Sequence, residues 1–287
     1  MIVVKFNGGL GNQLFQYAFG RALQLRYNDS FAIDIEEFRR SYGHVQRHYS
    51  LENFSLPSDV SVLPIKESKS LLFFKVFHKI NRKLNSKLAR LFNICWWRSP
   101  VFKDFVIEDT KKKKYYFYGY WQSEKYFSEY KDIIKKELKV KTPVIDECKP
   151  YAQLIENSNA ACLHIRRGDF IKEGQLICDV DYYQRGIDYI SSHTDNPRFF
   201  VFTNDNEWVK QNIKLPSDSV FVDVADPDYE VLRLMYMCKH FVISNSSYSW
   251  WGQYLSDNPQ KIVVAPSQWS VKWPDEKSMY LENWVVL

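Results

Sequence analysis

The chain has 287 residues, enough to bury a sizeable core and better fitted to two modest domains than to one. It is 45% hydrophobic with a formal charge of +5, a basic balance that suits phosphorylated ligands, anionic lipid and nucleic acid alike and selects none of them. The five cysteines (Cys95, Cys148, Cys162, Cys178, Cys238) show no CxxC or Cys/His metal spacing, which argues against a disulfide framework and for a reduced, cytoplasmic setting. No stretch approaches the roughly 20 apolar residues of a membrane span, and the opening residues lack the pattern of a signal peptide. The sequons at Asn28 and Asn245 therefore read as chance matches.

Ile2–Phe6 has a short buried-strand pattern and runs into the glycine turn Asn7-Gly8-Gly9-Leu10-Gly11-Asn12-Gln13. Helical spacing follows from Leu14 to Tyr27, and Phe31–Ile33 resumes as a strand ending at Asp34. That is one β-loop-α-β unit, the opening of a Rossmann-like domain. Residues 66–97 read as a basic helical region in which Leu71, Phe74, Phe77, Leu84 and Leu88 interleave with Lys75, Lys79, Arg82, Lys83, Lys87 and Arg90, ending in Trp96-Trp97. Tyr115–Trp121 alternates like a strand, Glu124–Leu138 reads as a helix, and Thr142–Pro150 is the best linker candidate. This places the domains at 1–145 and 151–287.

The second half has a cleaner rhythm. Strands are expected at Ala160–Ile165, Arg198–Thr203, Val220–Val222, His240–Ser244 and Lys261–Ala265, with helices at Asp181–Ser192, Asp228–Cys238 and Tyr248–Leu255. Such alternation argues a parallel sheet with ligands at the carboxyl ends of its strands. The unusual polar residues of this half fall at those ends.

Four constellations could carry chemistry. His164-Ile165-Arg166-Arg167-Gly168-Asp169 puts two guanidiniums where a buried strand runs out, and a diphosphate is their natural partner because arginine binds phosphate oxygens bidentately. An Arg167–Asp169 pair bracing the loop is the plain alternative. Ser244-Asn245-Ser246-Ser247 opens a helix, so free N–H groups and hydroxyls there form an anion site, a serine cap, or both. Asn204-Asp205-Asn206 at a strand end suits guanine or ribose, or an Asx turn. Gly8–Gln13, followed by Asp34, partly mimics a dinucleotide fingerprint, but Leu14 stands where the third glycine should be. Asp179-Val180-Asp181 has the form of a metal-binding DxD, yet Asp181 is better explained as a helix cap, and no metal is expected.

The opening Lys5–Ala18, His164–Asp169, Phe202–Asn206 and Ser244–Gly252 together, in this order, resemble the bacterial α-1,2-fucosyltransferases of glycosyltransferase family 11. The resemblance implies an α/β, GT-B-like architecture, two Rossmann-like domains facing across a cleft, with the acceptor on the N-terminal side and GDP-fucose on the C-terminal one. It implies inverting transfer of L-fucose from GDP-β-L-fucose to the 2-hydroxyl of a terminal galactoside, without metal or cofactor, in O-antigen or capsule synthesis. By the same resemblance Arg166 meets the β-phosphate, His164 lies by the nucleotide, Asp205 contacts guanine with Asn204 beside it, and Asn245, Ser246 and Ser247 line the phosphates. Gly9, Gly11, Asn12, Gln13 and Arg167 are further binding candidates. Asp169 and Glu173 are candidate bases, alongside a phosphate that takes the proton itself.

Two readings from other classes remain open at this level. An NAD-linked oxidoreductase would use the first glycine turn and Asp34. A basic nucleic-acid- or lipid-binding module would use Lys66–Arg90. The same basic stretch, joined to a transferase, suggests peripheral contact with the inner face of the membrane and a lipid-linked acceptor.

Overall fold

Strand β1 (Ile2–Lys5) is buried along its whole length, as a continuous apolar run in a parallel sheet must be. The computed structural model describes residues 1–39, 48–64, 94–99, 114–172, 174–224 and 226–287, and separates them into two units, Met1–Leu138 and Lys139–Leu287. In the first, β1 lies between β2 (Phe31–Asp34) and β5 (Lys114–Gly119), with β3 (Val60–Val62) and β4 (Ile94–Ser99) outside them. Among the described residues the order is β3-β2-β1-β5-β4, all parallel.

Helix α1 (Leu10–Tyr27) makes the crossover from β1 to β2 and is buried almost throughout its first four turns. It lies so close to the sheet that a Cβ at Gly20 would fall 2.4 Å from the Phe31 ring. Much of the aromatic excess is core: Phe19 stacks on Trp121 at 4.0 Å, with Phe117 and Tyr126 edge-on to both. Arg21 on α1 forks onto Glu137, at 2.8 Å from Nη2 and 3.0 Å from Nε, and Tyr17 donates to the same carboxylate at 2.6 Å. Glu137 ends a short helix α2 (Lys131–Glu137), so this buried group ties α2 to α1.

Two expectations are corrected here. Trp96 and Trp97 do not end a helix: Ile94–Ser99 is strand β4, paired residue for residue with β5, as its aromatic and β-branched content favours. Glu124–Leu138 is not one helix but two 3₁₀ turns, Glu124–Tyr126 and Ser128–Tyr130, followed by α2. The stretch 65–93, which holds nearly all of the basic region, lies outside the described residues.

The second unit begins ahead of the expected linker. Lys139 Nζ donates to the Leu255 carbonyl at 2.6 Å, and Arg233 to the Thr142 carbonyl at 2.6 Å, so the chain from Lys139 onward packs on this unit. Within that stretch, a 3₁₀ turn at Asp146–Cys148 leads into α3 (Lys149–Glu156), with Pro150 tolerated in its first turn. The central strand β6 (Asn159–Ile165) pairs with β7 (Pro197–Thr203) on one side and β9 (His240–Val242) on the other. Beyond them lie β8 (Val220–Phe221), β10 (Val263–Ala265) and β11 (Val285–Val286), giving the parallel order β11-β10-β9-β6-β7-β8. Counted within the unit this is 3-2-1-4-5-6, the dinucleotide-fold order, and its switch point falls between β6 and β9. The connecting helices are α4 (Gly168–Lys172), α5 (Val180–His193), α6 (Asn206–Asn212), α7 (Asp228–Met237) and α8 (Ser247–Leu255).

Candidate functional site

Because every strand of the second sheet runs the same way, the residues leaving β6, β7 and β9 share one edge, and β6 and β9 are direct neighbours. His164, the penultimate residue of β6, is 5% exposed, and its Nδ1 lies 2.8 Å from Ser244 Oγ just past β9. Burial, reinforced by the nearby Arg166 charge, pushes its pKa down to about 3, so the imidazole is neutral at physiological pH. Two of the four sequence motifs thus meet at the switch point through one side-chain contact.

The twin arginines separate in role. Arg167 stacks its guanidinium 3.6 Å from the centroid of Trp208, and its Nε donates to Asp205 Oδ2 at 3.3 Å. Its backbone N–H donates to Asn204 Oδ1 at 3.0 Å, while Asp205 Oδ1 accepts from the Trp208 N–H and caps α6. Arg167, Asn204 and Asp205 therefore brace the β6 and β7 loops against each other. Arg166 sits half-buried above Phe170, its guanidinium 5.7 Å from that ring's centroid. Asp169 lies in α4; its side chain and Glu173 are outside the described residues.

Ser246 caps α8, its Oγ accepting from the Tyr248 N–H at 3.3 Å, and Ser247 begins that helix. Ser249 Oγ fastens the turn by donating to the Ser244 and Ser246 carbonyls, both at 3.1 Å. The result is a buried helix N-terminus beside the end of β6. Asn245, in contrast, turns its amide inward to Gln175, Trp269 and Cys178.

In the first unit the glycine turn leads straight into α1, with Gly9 as its N-cap residue and Gly11 buried in the first turn. Gln13 is fully buried; it donates to the His48 carbonyl at 2.8 Å and accepts from the Ser50 N–H at 3.1 Å. Asn12 Oδ1 accepts from Gln122 at 2.7 Å. Asp34 is buried, accepting from the Tyr116 hydroxyl and from the Glu36 N–H, so it is not presented to a ribose. Burial, and then that contact, raise the Tyr116 pKa.

In the DxD triplet the cap is Asp179, which accepts from the Tyr182 N–H at 2.8 Å; Asp181 lies in the first turn, 3.7 Å from Arg185. The expected assignment to Asp181 is corrected, because the helix starts one residue earlier. Sequence reasoning gave Ser244 no role apart from its motif and passed over Trp208. Both lie inside or beside the motifs, and a serine at a strand end and a tryptophan one turn into α6 are the signals that would have found them.

The family model for Glycosyl transferase family 11 matches residues 1–287. Among curated proteins, an Escherichia coli alpha-1,2-colitosyltransferase is 32% identical over 281 residues, 94% of this chain and 92% of that one. A Caenorhabditis elegans galactoside 2-alpha-L-fucosyltransferase is 25% identical, covering 93% of this chain and 72% of its own. Among solved structures, the fucosyltransferase NodZ from Bradyrhizobium superposes with a TM-score of 0.57 at 14% identity, over 91% of this chain and 95% of its own. NodZ, described as an alpha-1,6-fucosyltransferase, has also been co-crystallized with GDP. At that identity the likeness is one of fold.

Proposed function

The chain belongs to glycosyl transferase family 11, and from that premise we propose that it moves L-fucose from GDP-β-L-fucose to the 2-hydroxyl of a terminal galactoside with inversion. The α/β, GT-B-like pair of Rossmann-like units carries that chemistry in the second unit. The observation behind the reading is the meeting, at the switch point, of Arg166, neutral His164 and the capped N-terminus of α8. A guanidinium and a helix N-terminus side by side are suited to a diphosphate.

In the proposed step the acceptor oxygen attacks the anomeric carbon from the face opposite GDP. The bond from that carbon to the β-phosphate oxygen breaks, and its electron pair leaves on the diphosphate. Arg166 and the α8 N–H groups neutralise that growing charge, a preorganised contact of the kind worth about 2.7–4 kcal/mol per donor. His164, being neutral, offers a hydrogen bond without repelling Arg166. The acceptor proton passes to Asp169, Glu173 or the departing phosphate. The scheme needs no metal, since Arg166 and the head of α8 supply the positive charge; Asp179 caps α5 and Asp181 faces Arg185. Arg167 and Asp205 act here as the brace that aims the loop.

The identity to a colitosyltransferase supports a second donor, because colitose is fucose without its 3-hydroxyl. A site that hydrogen-bonds that hydroxyl rejects the deoxy sugar strongly, by about 10⁴–10⁵. GDP-fucose and GDP-colitose are offered in competition to a β-galactoside, and products are resolved by mass and linkage. Fucose at O2 is expected. Colitose in preference overturns the donor assignment, and transfer of neither overturns the reaction.

A further inference from the structure

Asn245 has the position of a substrate contact but the bonding of a clasp. It is 8% exposed and immediately precedes the cap Ser246. Its Nδ2 donates to the Gln175 carbonyl at 3.1 Å and to the Trp269 carbonyl at 3.3 Å, while Oδ1 accepts from Cys178 Sγ at 3.7 Å. Carbonyl oxygens only accept, so the nitrogen must face both of them; the thiol donates, so the oxygen must face it. Burial pushes the Cys178 thiol up to about 12, which keeps that proton in place.

The three partners lie on two other loops of the same sheet edge. Gln175 and Cys178 follow the twin arginines and α4, and Trp269 follows β10. One buried amide thus joins the loops that leave β6, β9 and β10, on both sides of the switch point.

We propose that Asn245 is a positioning residue of the transferase, clasping the loop behind Arg166 and the loop after β10 onto the serine turn so that the diphosphate meets a preformed pocket. This deepens the reading above and rests on it. Loss of the clasp leaves Arg166 and the α8 N-terminus present but free to separate, which weakens the donor complex and leaves the acceptor sugar to bind as before.

The test measures donor KM, acceptor KM, kcat and calorimetric GDP affinity for Asn245→Ala and Asn245→Asp, with melting curves confirming the fold. In Asn245→Ala two carbonyls, the one at Trp269 buried, lose their donor, and donor KM should rise roughly tenfold or more with acceptor KM little changed. Asn245→Asp discriminates further. Its carboxylate has no proton for either carbonyl, but the neutral acid has one, and burial raises the pKa of such a group. Donor KM of this variant should recover between about pH 8 and pH 5.5, while the wild type and Asn245→Ala show no such recovery. Asn245→Ser, which keeps one donor, serves if the first two do not fold, and should fall between Asn245→Ala and wild type. Donor KM and GDP affinity unchanged in every folded variant, or an Asn245→Asp variant with no acid-side recovery, overturns the proposal. Should the wild type turn over neither GDP-sugar, the reaction assigned above fails, and the clasp is still judged by the variants' affinity for GDP.

Discussion

Gly168 opens α4 one residue after the twin arginines, and Gly168→Ala probes how tightly the site is held. A Cβ there would fall 2.5 Å from Asn204 Nδ2 and 3.3 Å from its Cγ. The amide is a flexible end, so it will swing away rather than force the backbone apart. Swinging it breaks the 3.0 Å bond that its Oδ1 accepts from the Arg167 N–H. That bond is worth about 0.5–1.5 kcal/mol, the crowding costs about 1–3 kcal/mol, and alanine's helix propensity offsets at most about 1 kcal/mol. The net is about 2 kcal/mol, or a fall in Tm of roughly 4–8 °C for a unit of this size. Calorimetric melting of Gly168→Ala, Asn204→Ala and the double variant measures it. With the amide gone the new methyl has nothing to strike, so the double variant should melt close to Asn204→Ala alone. Strict additivity, or a Gly168→Ala enzyme that melts with wild type, refutes the reasoning.

Arg166→Lys keeps the charge but loses the two-pronged fork, and kcat should drop by about 10²–10³ with the melting temperature unchanged; near-normal turnover removes Arg166 from the phosphate site. His164 is held neutral when folded, with its pKa near 3, yet titrates at its ordinary value when unfolded. The unfolded chain therefore binds the extra proton, and stability is complete above about pH 6.5 and lost as pH falls, by about 1 kcal/mol per unit. His164→Gln should show a shallower acid limb in melts from pH 7 to about pH 4, and an identical slope rejects the assignment. Turnover should persist in EDTA, and Asp179→Asn, which still caps α5, should retain it; activity lost in chelator and restored by manganese or magnesium reverses this. Membrane contact through Lys66–Arg90 predicts salt-sensitive sedimentation with phosphatidylglycerol vesicles, and none at low salt excludes it. Among the described residues no helix is long and apolar enough to cross a membrane.

The elements of the second unit were legible because its strands are short apolar runs ending in polar turns. Strand β6 begins one residue before its expected start and ends where expected, and α8 begins one residue early. In the first unit the period misled. Leucines at helical spacing up to Leu91 carried the helix expectation on to Trp97, over residues that pair with β5. Between Glu124 and Leu138 the apolar residues fit a helix, but Phe127 serves two 3₁₀ turns and no helix. At the site, residue types were readable and their partners were not. That Arg167 answers to Asp205 and Trp208 depends on β6 and β7 being neighbours, a fact of topology carried by residues some forty apart in sequence.

The two glycine-bearing turns show why position outweighs motif. In the first unit Gly8 takes a φ of +79°, and a Cβ there would lie 2.5 Å from Asn12 Nδ2. Gln16 accepts from the Asn7 N–H at 3.1 Å and donates to the Gly119 carbonyl at 3.0 Å, and Gln13 holds His48 and Ser50. The amides that would have greeted a pyrophosphate instead build the turn, and Asp34 is bound by Tyr116. An NAD-linked reading has thus lost its ribose acid, while at the head of α8 the Ser246 hydroxyl caps the helix by accepting from the Tyr248 N–H. A helix N-terminus with a cation beside it is an anion site wherever it occurs. In this chain that pairing stands at the switch point of the second sheet, which is why the proposed reaction sets the donor phosphates against Arg166 and not against the motif that most resembles a nucleotide fingerprint.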